Sequence, residues 1–289
     1  RLVVDGVQAA GILATPLNEL GADIIAFPEM ALTGYPPEDL LLKPQFVKDN
    51  LRALKQVQKE TKGITAIVGF VDHKDFLYNA AAVLHNGSRA YVYHKILLPN
   101  YGVFDEYRYF RPGNRYPLLT VRGVKVGVNI CEDIWFSEGP TRSQALAGAE
   151  VIVNINASPY HKAKGRERLR MLSERAKKHR VIISYTNAVG GQDELVFDGQ
   201  SMVIDQAGKL LARGKRFEEE LMTLDIKVAE RKPLVVRERD RHFTSTDAIV
   251  LSEKSGPGKK SPPPARMIEK PLILCEEVYR ALVLGTRDY

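Results

Sequence analysis

The sequence contains little cysteine and no long apolar run. Two cysteines, Cys131 and Cys275, stand among 289 residues, too far apart in the chain to indicate a small disulfide-stapled scaffold. The sequence has no CxxC pair, a pattern that would indicate a metal site. No run approaches the roughly 18 apolar residues that a membrane-spanning helix needs, and no basic segment precedes an apolar one as in a signal peptide. We therefore expect a soluble, cytoplasmic protein that binds neither metal nor membrane.

Basic residues are in modest excess over acidic residues. The chain has 42 basic and 35 acidic residues, a net charge of +7, and much of the excess lies in residues 162–180 and 231–241. In the first of these runs the signs alternate through Arg166, Glu167 and Arg168, as they do on a solvated helix face. No aromatic-rich motif accompanies the basic residues, so we expect no nucleic-acid partner.

Strand and helix patterns alternate along the chain, whose 44% hydrophobic content is enough for a large core. Apolar, β-branched runs predict buried strands at residues 64–71, 80–84, 124–130, 151–155, 181–185 and 201–204. Apolar spacing of three and four predicts helices at residues 45–61, 141–149 and 166–179. Hairpin signals at Asn86-Gly87 and Ala207-Gly208 add antiparallel neighbours, which favours a layered α/β sandwich.

The patterns at both ends lead us to expect that the sequence is cut there. A helical pattern at residues 9–20 follows Arg1 almost directly, so we expect a clipped N-terminus that lacks its leading strand. After a domain of residues 1–250, the Pro-, Gly- and Lys-rich residues 251–270 predict a flexible linker. Residues 271–289 return to a helical pattern whose apolar face calls for a partner.

Three local features place reactive groups in or after apolar segments. Glu29 ends a short strand-like segment, at the kind of strand end that faces the ligand crevice in α/β folds. Lys95 interrupts an apolar and aromatic stretch, where an ammonium needs a carboxylate or an oxyanion. Cys131 follows a predicted strand, where a sharp turn can expose the thiol. Each has a plainer alternative: a surface glutamate, a lysine that reaches solvent and a buried structural cysteine.

Together, a carboxylate, an ammonium and a thiol are the groups needed to split an amide bond through a thioester. The carboxylate takes the proton of the thiol and later gives it to the departing ammonia. The ammonium and a backbone N–H stabilise the tetrahedral oxyanion, by about 3 kcal/mol for each well-placed donor. The combination therefore favours a cysteine-dependent amidase.

The contexts of these residues resemble those of a known superfamily. Glu29 after Phe-Pro, Lys95 in His-Lys-x-x-Leu and Cys131 after an apolar strand resemble the Glu-Lys-Cys triad of nitrilase-superfamily amidases. Longer strings resemble the glutaminase domains of glutamine-dependent NAD+ synthetases, at residues 27–41, 98–106, 129–135, 156–160 and 190–199. The similarity runs from about Ala22 to Ile226. It implies a four-layer αββα sandwich of the nitrilase type that hydrolyses glutamine.

The resemblance implies roles for further residues. Glu106 matches a second glutamate that helps to hold the lysine. Residues matching the glutamine pocket are Tyr101, Glu132, Trp135 and Ser158. The amide N–H of Glu132 is implied to serve the oxyanion as well. From residues 162–166 we choose Arg166 as the base that binds the substrate carboxylate. For Tyr101 and Trp135 the alternative is packing alone.

The resemblance also bears on partners and cofactors. Enzymes of this family pass ammonia through an internal tunnel to the ATP- and Mg2+-dependent amidation of deamido-NAD+. Residues 271–289 resemble the first helix of the synthetase domain, but the Ser-Gly-Gly-x-Asp-Ser loop that follows in the family does not occur in this sequence. The resemblance thus implies a cofactor-free glutaminase step, a synthetase domain as partner and a homo-oligomer. Alternatives are a stand-alone amidase for another small amide and a catalytically silent regulatory domain.

Overall fold

Two β-sheets form the middle of the structure. The computed structural model describes residues 2–5, 22–228, 247–253 and 267–289. The strands of the first sheet are β1 (Leu2–Asp5), β2 (Ile24–Ala26), β3 (Thr65–His73), β4 (Leu77–His85), β5 (Ser88–His94) and β14 (Leu221–Leu224). Their order is β14-β1-β2-β3-β4-β5, with β1, β2 and β3 parallel to one another.

The second sheet contains the chain's central parallel strands. Its strands are β6 (Pro117–Val121), β7 (Val124–Ile130), β8 (Val151–Asn156), β9 (Ile182–Asn187), β12 (Met202–Ile204), β13 (Leu210–Arg213) and β15 (Asp247–Val250). They are arranged in the order β13-β12-β9-β8-β7-β6-β15, with β7, β8 and β9 parallel. A separate hairpin joins β10 (Val189–Gln192) to β11 (Leu195–Asp198).

Helices follow or connect these strands. The α-helices of the described residues are α1 (Pro44–Glu60), α2 (Glu106–Tyr109), α3 (Pro140–Leu146), α4 (Lys164–His179) and α5 (Leu274–Asp288). Two 3-10 turns cover Glu38–Leu42 and Cys131–Ile134. In the part of the chain that the structure describes, no helix combines the length and the apolar character needed to cross a membrane.

The elements pack as four layers. Between the sheets, Ala26 and Ile67 of the first pack in one cluster with Val128 and Val153 of the second. Because side chains alternate along a strand, the neighbouring residues face outward and must be covered by another layer. Helix α1 covers the outer face of the first sheet, and α3 and α4 cover that of the second. The four-layer αββα sandwich predicted from the sequence is confirmed.

The leading strand was predicted wrongly. We expected the N-terminal strand to be missing, but the structure has β1 at Leu2–Asp5, hydrogen-bonded between β14 and β2. A segment with only three apolar residues, Leu2–Val4, gives too short a pattern to predict a strand beside the longer helical pattern that follows. That helical pattern, residues 9–20, lies outside the described residues.

The predicted linker is described only at its ends. The amide of Leu251 donates to the carbonyl of Thr120 at 2.9 Å, and Ile268 forms a parallel bridge with Arg213. Both ends are therefore bonded to the second sheet, and residues 254–266 lie outside the described residues. Beyond them, α5 packs through Ala281 and Leu284 against Val189 and Phe217 of the hairpin region.

One glycine allows the chain after β2 to lie directly against β3. A Cβ on Gly69 would overlap the carbonyl oxygen of Pro28 and the amide nitrogen of Met30. Because only glycine lacks this atom, the turn that carries Glu29 can press against the sheet at this point. Gly69 thereby allows the backbone of Glu29 to lie close to strand β3.

Candidate functional site

Four chain segments bring one cluster of reactive side chains together. Glu29 follows β2, Lys95 follows β5, Glu106 begins α2, and Cys131 follows β7. These four residues are between 1% and 5% exposed. The ammonium of Lys95 donates to Glu29 Oε1 and to Glu106 Oε1, each at 2.8 Å. The structure thus brings together the four residues that the sequence suggested for chemistry.

Further donors hold both carboxylates in place. Glu29 Oε1 accepts a bond from Asn79 Nδ2 at 2.6 Å, and its Oε2 accepts one from the amide of Ala157 at 2.9 Å. The hydroxyl of Tyr35 donates to Glu106 Oε1 at 2.8 Å, and Asn79 also reaches Glu106 Oε2 at 3.3 Å. Asn79 therefore bridges the two carboxylates. Sequence reasoning missed it, although an asparagine inside an apolar strand was a visible signal.

The balance of burial and charge keeps Lys95 protonated. Burial lowers its pKa, but the charges of Glu106 and Glu29 outweigh burial and hold the pKa well above the usual value. For Glu106, burial raises the pKa to about 7 against the opposing effect of Lys95. An ammonium is thus available beside the thiol at neutral pH.

Cys131 occupies a strained turn. Its φ is 42°, in the left-handed region that non-glycine residues seldom adopt, at the junction of β7 with a 3-10 turn. Burial, and then the charge of Glu29, raise the pKa of the thiol well above its usual value, and Lys95 only partly opposes them. The thiol is therefore neutral at pH 7, so it needs a base to become a nucleophile.

Asp133 ties the segment that carries Lys95 to the turn that carries Cys131. Its side chain is fully buried. Its carboxylate accepts four bonds of 2.7–3.2 Å, from the amides of Ile96, Leu97 and Ile130 and from the hydroxyl of Tyr93. Two donors follow Lys95 directly and one precedes Cys131. Asp133 therefore fixes the ammonium relative to the thiol, a role the sequence did not reveal.

Polar and aromatic side chains lie around Glu132, the residue after Cys131. The hydroxyl of Tyr101 donates to both oxygens of Glu132, at 2.9 and 3.0 Å. The ammonium of Lys164 lies 4.2 Å from the ring centroid of Trp135. Burial raises the pKa of Glu132, and Tyr101, Lys95 and Lys164 oppose the increase. A carboxylate and an ammonium thus lie near each other beside Cys131.

Two predicted pocket residues have different surroundings. Ser158 is buried, and its amide donates to Asn187 Oδ1 at 2.9 Å. Arg166 is exposed on α4, whereas Lys164, two residues earlier, stacks on Trp135. Helix α4 begins at Lys164 rather than at Arg166, so the residue that stacks on Trp135 is the first of the helix. Of these two bases, Lys164 is the one placed beside Trp135 and Glu132, and the role of Arg166 stays a prediction.

Comparison with known proteins places the chain in a family. Residues 6–234 match the model of the carbon-nitrogen hydrolase family, and the chain belongs to that family. Among solved structures, an amidase of the nitrilase superfamily from Nesterenkonia, 22% identical, superposes on 76% of this chain and 87% of its own, with a TM-score of 0.67. At this identity the likeness supports the fold alone.

Three relatives with higher sequence identity are all glutamine-dependent NAD+ synthetases. Glutamine-dependent NAD(+) synthetase from Thermotoga maritima is 43% identical over 277 residues, and that from Aquifex aeolicus 48% over 271. These matches cover 94% and 92% of this chain but 48% and 47% of the relatives. The glutamine-dependent NAD+ synthetase structure from Acinetobacter baumannii, 32% identical with a TM-score of 0.78, covers 100% of this chain and 51% of that one. The chain therefore spans about half the length of these relatives, and the predicted resemblance is confirmed.

We predict that Asp133→Asn destabilises the fold by about 3 kcal/mol, because the new amide group would face buried donors in place of an acceptor. Tyr93→Phe is the matched control: it removes one of the four donors, with an expected loss of about 1 kcal/mol. Urea unfolding measures both, at about pH 8, since burial raises the pKa of Asp133 to about 6. Equal losses in the two variants would contradict the anchoring role.

The raised pKa of Cys131 predicts how its reactivity depends on pH. In a Cys275→Ser variant, which has a single thiol, iodoacetamide should label the protein slowly at pH 7, and the rate should still rise at pH values above the ordinary pKa of a cysteine, because only the thiolate reacts. The labelling rate is followed by intact mass. A plateau already reached at neutral pH would mean a resident thiolate and would refute this protonation state.

Proposed function

We propose that this chain hydrolyses the side-chain amide of glutamine to glutamate and ammonia through a thioester on Cys131. The observation that carries the proposal is the buried Lys95 ammonium between two carboxylates, beside a cysteine in a strained turn. Membership of the carbon-nitrogen hydrolase family supports the reaction type. The similarity to glutamine-dependent NAD+ synthetases supports glutamine as the amide.

The first half-reaction makes the thioester. Glu29 takes the proton of the Cys131 thiol while the sulfur attacks the amide carbon. The Lys95 ammonium and the backbone N–H of Glu132 donate to the oxyanion of the tetrahedral intermediate. Glu29 then gives its proton to the nitrogen, and the carbon–nitrogen bond breaks to release ammonia. Lys95 keeps its own proton throughout, because Glu29 and Glu106 hold it charged.

The second half-reaction returns the enzyme to its starting state. Glu29 accepts a proton from water, whose oxygen attacks the thioester carbon, and the same donors stabilise the second oxyanion. Collapse breaks the carbon–sulfur bond, and the proton passes from Glu29 to the sulfur. Glutamate leaves and the neutral thiol is restored. One carboxylate thus serves as base and acid in turn.

The charged groups near Cys131 suit the amino-acid end of glutamine. Glu132, whose carboxylate accepts bonds from Tyr101, would pair with the substrate ammonium. Lys164, held over Trp135, would pair with the substrate carboxylate in place of Arg166. Ser158 supplies part of the wall. Opposite charges on the two sides would select an amino acid over an uncharged amide.

Beyond this reaction, we propose that the chain is the ammonia-producing part of a larger enzyme. Ammonia would pass through an internal tunnel to a synthetase domain that binds ATP, Mg2+ and deamido-NAD+, in a cytoplasmic homo-oligomer. The domain would comprise residues 1–250, followed by the linker 251–270 and the first synthetase helix, 271–289. The outer face of α5 supports a partner there: Val278, Tyr279 and Leu282 are 40–68% exposed.

Two other functions fit less well. A stand-alone amidase for another small amide would leave the exposed face of α5 without a purpose. A silent regulatory domain would not need the buried charges around Lys95, since well-packed apolar side chains of similar volume would avoid their desolvation penalty. Both remain measurable alternatives in the experiment below.

Replacement of the nucleophile tests the proposed reaction. Cys131→Ala should lower glutamine hydrolysis about a thousandfold or more, because no thioester can form. Cys275→Ala, the matched control on α5, should leave the rate unchanged, since Cys275 is exposed and lies outside the cluster. Ammonia and glutamate release are measured together. Hydrolysis that survives in Cys131→Ala, or its absence from the parent chain, would overturn the proposal.

Replacement of the substrate-binding cation tests the pocket. Lys164→Met should raise the KM for glutamine about tenfold or more with a smaller effect on kcat, because a charge-assisted bond to the substrate carboxylate is lost. Arg166→Met is the matched control and should change neither constant. Steady-state glutaminase kinetics measures both variants. A larger KM in Arg166→Met than in Lys164→Met would restore our first choice.

A further inference from the structure

A row of buried ion pairs runs inward from the C-terminal helix. Glu277 on α5 forms an ion pair with Arg216. Arg216 donates through Nε and Nη2 to Asp198 Oδ2, at 3.1 and 2.8 Å. The other oxygen of Asp198 accepts a bond of 2.6 Å from Arg168 Nη1. None of the four residues is more than 8% exposed. We call them the ion-pair row.

The inner end of the ion-pair row holds the loop after β8. Arg168 Nη2 donates to the carbonyls of Ser158 and Pro159, at 2.7 and 3.1 Å, and reaches Ser158 Oγ at 3.3 Å. The residue before this serine, Ala157, donates its amide to Glu29 Oε2 at 2.9 Å. Two consecutive residues therefore join the row to the proposed catalytic base.

Packing alone does not account for the ion-pair row. Helix α4 already packs on the second sheet through Met171, Leu172 and Ala176. A buried row of two carboxylates and two guanidinium groups carries a desolvation penalty that apolar side chains would avoid. Planar guanidinium groups, however, fix the geometry of their partners through paired bonds. The row therefore gives defined positions to the loop at its inner end.

The outer end of the row depends on how α5 is seated. Glu277, Ala281 and Leu284 are the buried residues of α5, and they lie on one face at helical spacing. The same helix accepts a bond from the amide of Gly191 at Asp288, near its end. A displacement of α5 would break the ion pair between Glu277 and Arg216. Arg216 would then keep its ion pair with Asp198 only.

We propose that the four residues of the ion-pair row are positioning residues: Glu277, Arg216, Asp198 and Arg168. Through them, the position of α5 on the domain determines the position of the Glu29 carboxylate. The inference rests on the proposed glutamine hydrolysis. When the row is complete, the amide of Ala157 holds Glu29 in line with the thiol; when Glu277 is lost, the loop shifts and the base is misplaced. The rate of the chemical steps therefore falls more than the affinity for glutamine. Glu132 and Lys164, which would pair with the charged groups of glutamine, lie outside the row, and of the proposed pocket residues Ser158 is the one bonded to it.

The test compares two adjacent, isosteric substitutions in the full chain. Glu277→Gln should lower kcat for glutamine about tenfold and change KM less than about threefold, the size of effect seen for coupling through packed networks. Glu276→Gln also removes one charge from α5, but Glu276 pairs with Arg280 at the surface, so kcat should stay unchanged. A glutamine-like electrophile that labels Cys131 counts the competent sites, which corrects kcat for unfolded protein.

Two further variants separate positioning from simple stabilisation. Arg216→Lys keeps the charge and should retain more activity than Arg216→Gln. The double variant Glu277→Gln, Arg216→Gln should be no slower than the slower single variant, because both act along one row. Thermal unfolding of each variant is recorded beside the kinetics.

The outcomes are distinguishable. Equal kcat per labelled site in Glu277→Gln and Glu276→Gln, or additive losses in the double variant, would overturn the inference and leave the glutaminase assignment standing. A lower melting temperature with unchanged kcat per site would also overturn it, since the row would then be structural only. A parent chain that neither turns over glutamine nor labels at Cys131 would remove the proposed function and the inference with it.

Discussion

The ion pairs of the buried Lys95 are the interaction on which the site depends. An ammonium shut away from water is tolerable only when carboxylates and further hydrogen bonds surround it, and removing one partner of such a pair costs about 3–5 kcal/mol. Glu29 and Glu106 meet that requirement, each at 2.8 Å. The carboxylate oxygens also accept hydrogen bonds from Asn79, Tyr35 and the amide of Ala157, so the arrangement is fixed before any substrate arrives.

The fold supplies these partners from distant parts of the sequence. Parallel strands of both sheets end at the same side of the sandwich, so the residues after β2, β7 and β8 meet there. Gly69 lets the first of these segments lie close to its sheet, and Asp133 bonds the segment that carries Lys95 to the turn that carries Cys131. Preorganisation of this kind is what electrostatic stabilisation of an oxyanion requires. The ion-pair row would extend it to α5.

Sequence reasoning found the parts that lie in local patterns. The strands predicted at residues 64–71, 124–130 and 151–155 correspond to β3, β7 and β8, because buried strands leave unbroken apolar runs. Glu29, Lys95 and Cys131 stood out by their contexts and by resemblance. Arg166 was chosen over Lys164 because a stretch of basic residues does not reveal where a helix begins. Asn79 interrupts an apolar strand, a local signal that we missed. Asp133 and the ion-pair row bond to residues far away in the sequence, and no local pattern encodes such bonds.

The most direct measurement of the central claim is a search for the covalent intermediate. The chain is mixed with glutamine, quenched in acid within the first turnovers and digested for mass spectrometry. The account predicts a glutamyl group on the peptide that contains Cys131, and none in Lys95→Met, where the oxyanion loses its ammonium and the two carboxylates their shared counter-ion. Glutamate release in the same quench without any addition to that peptide would contradict the account.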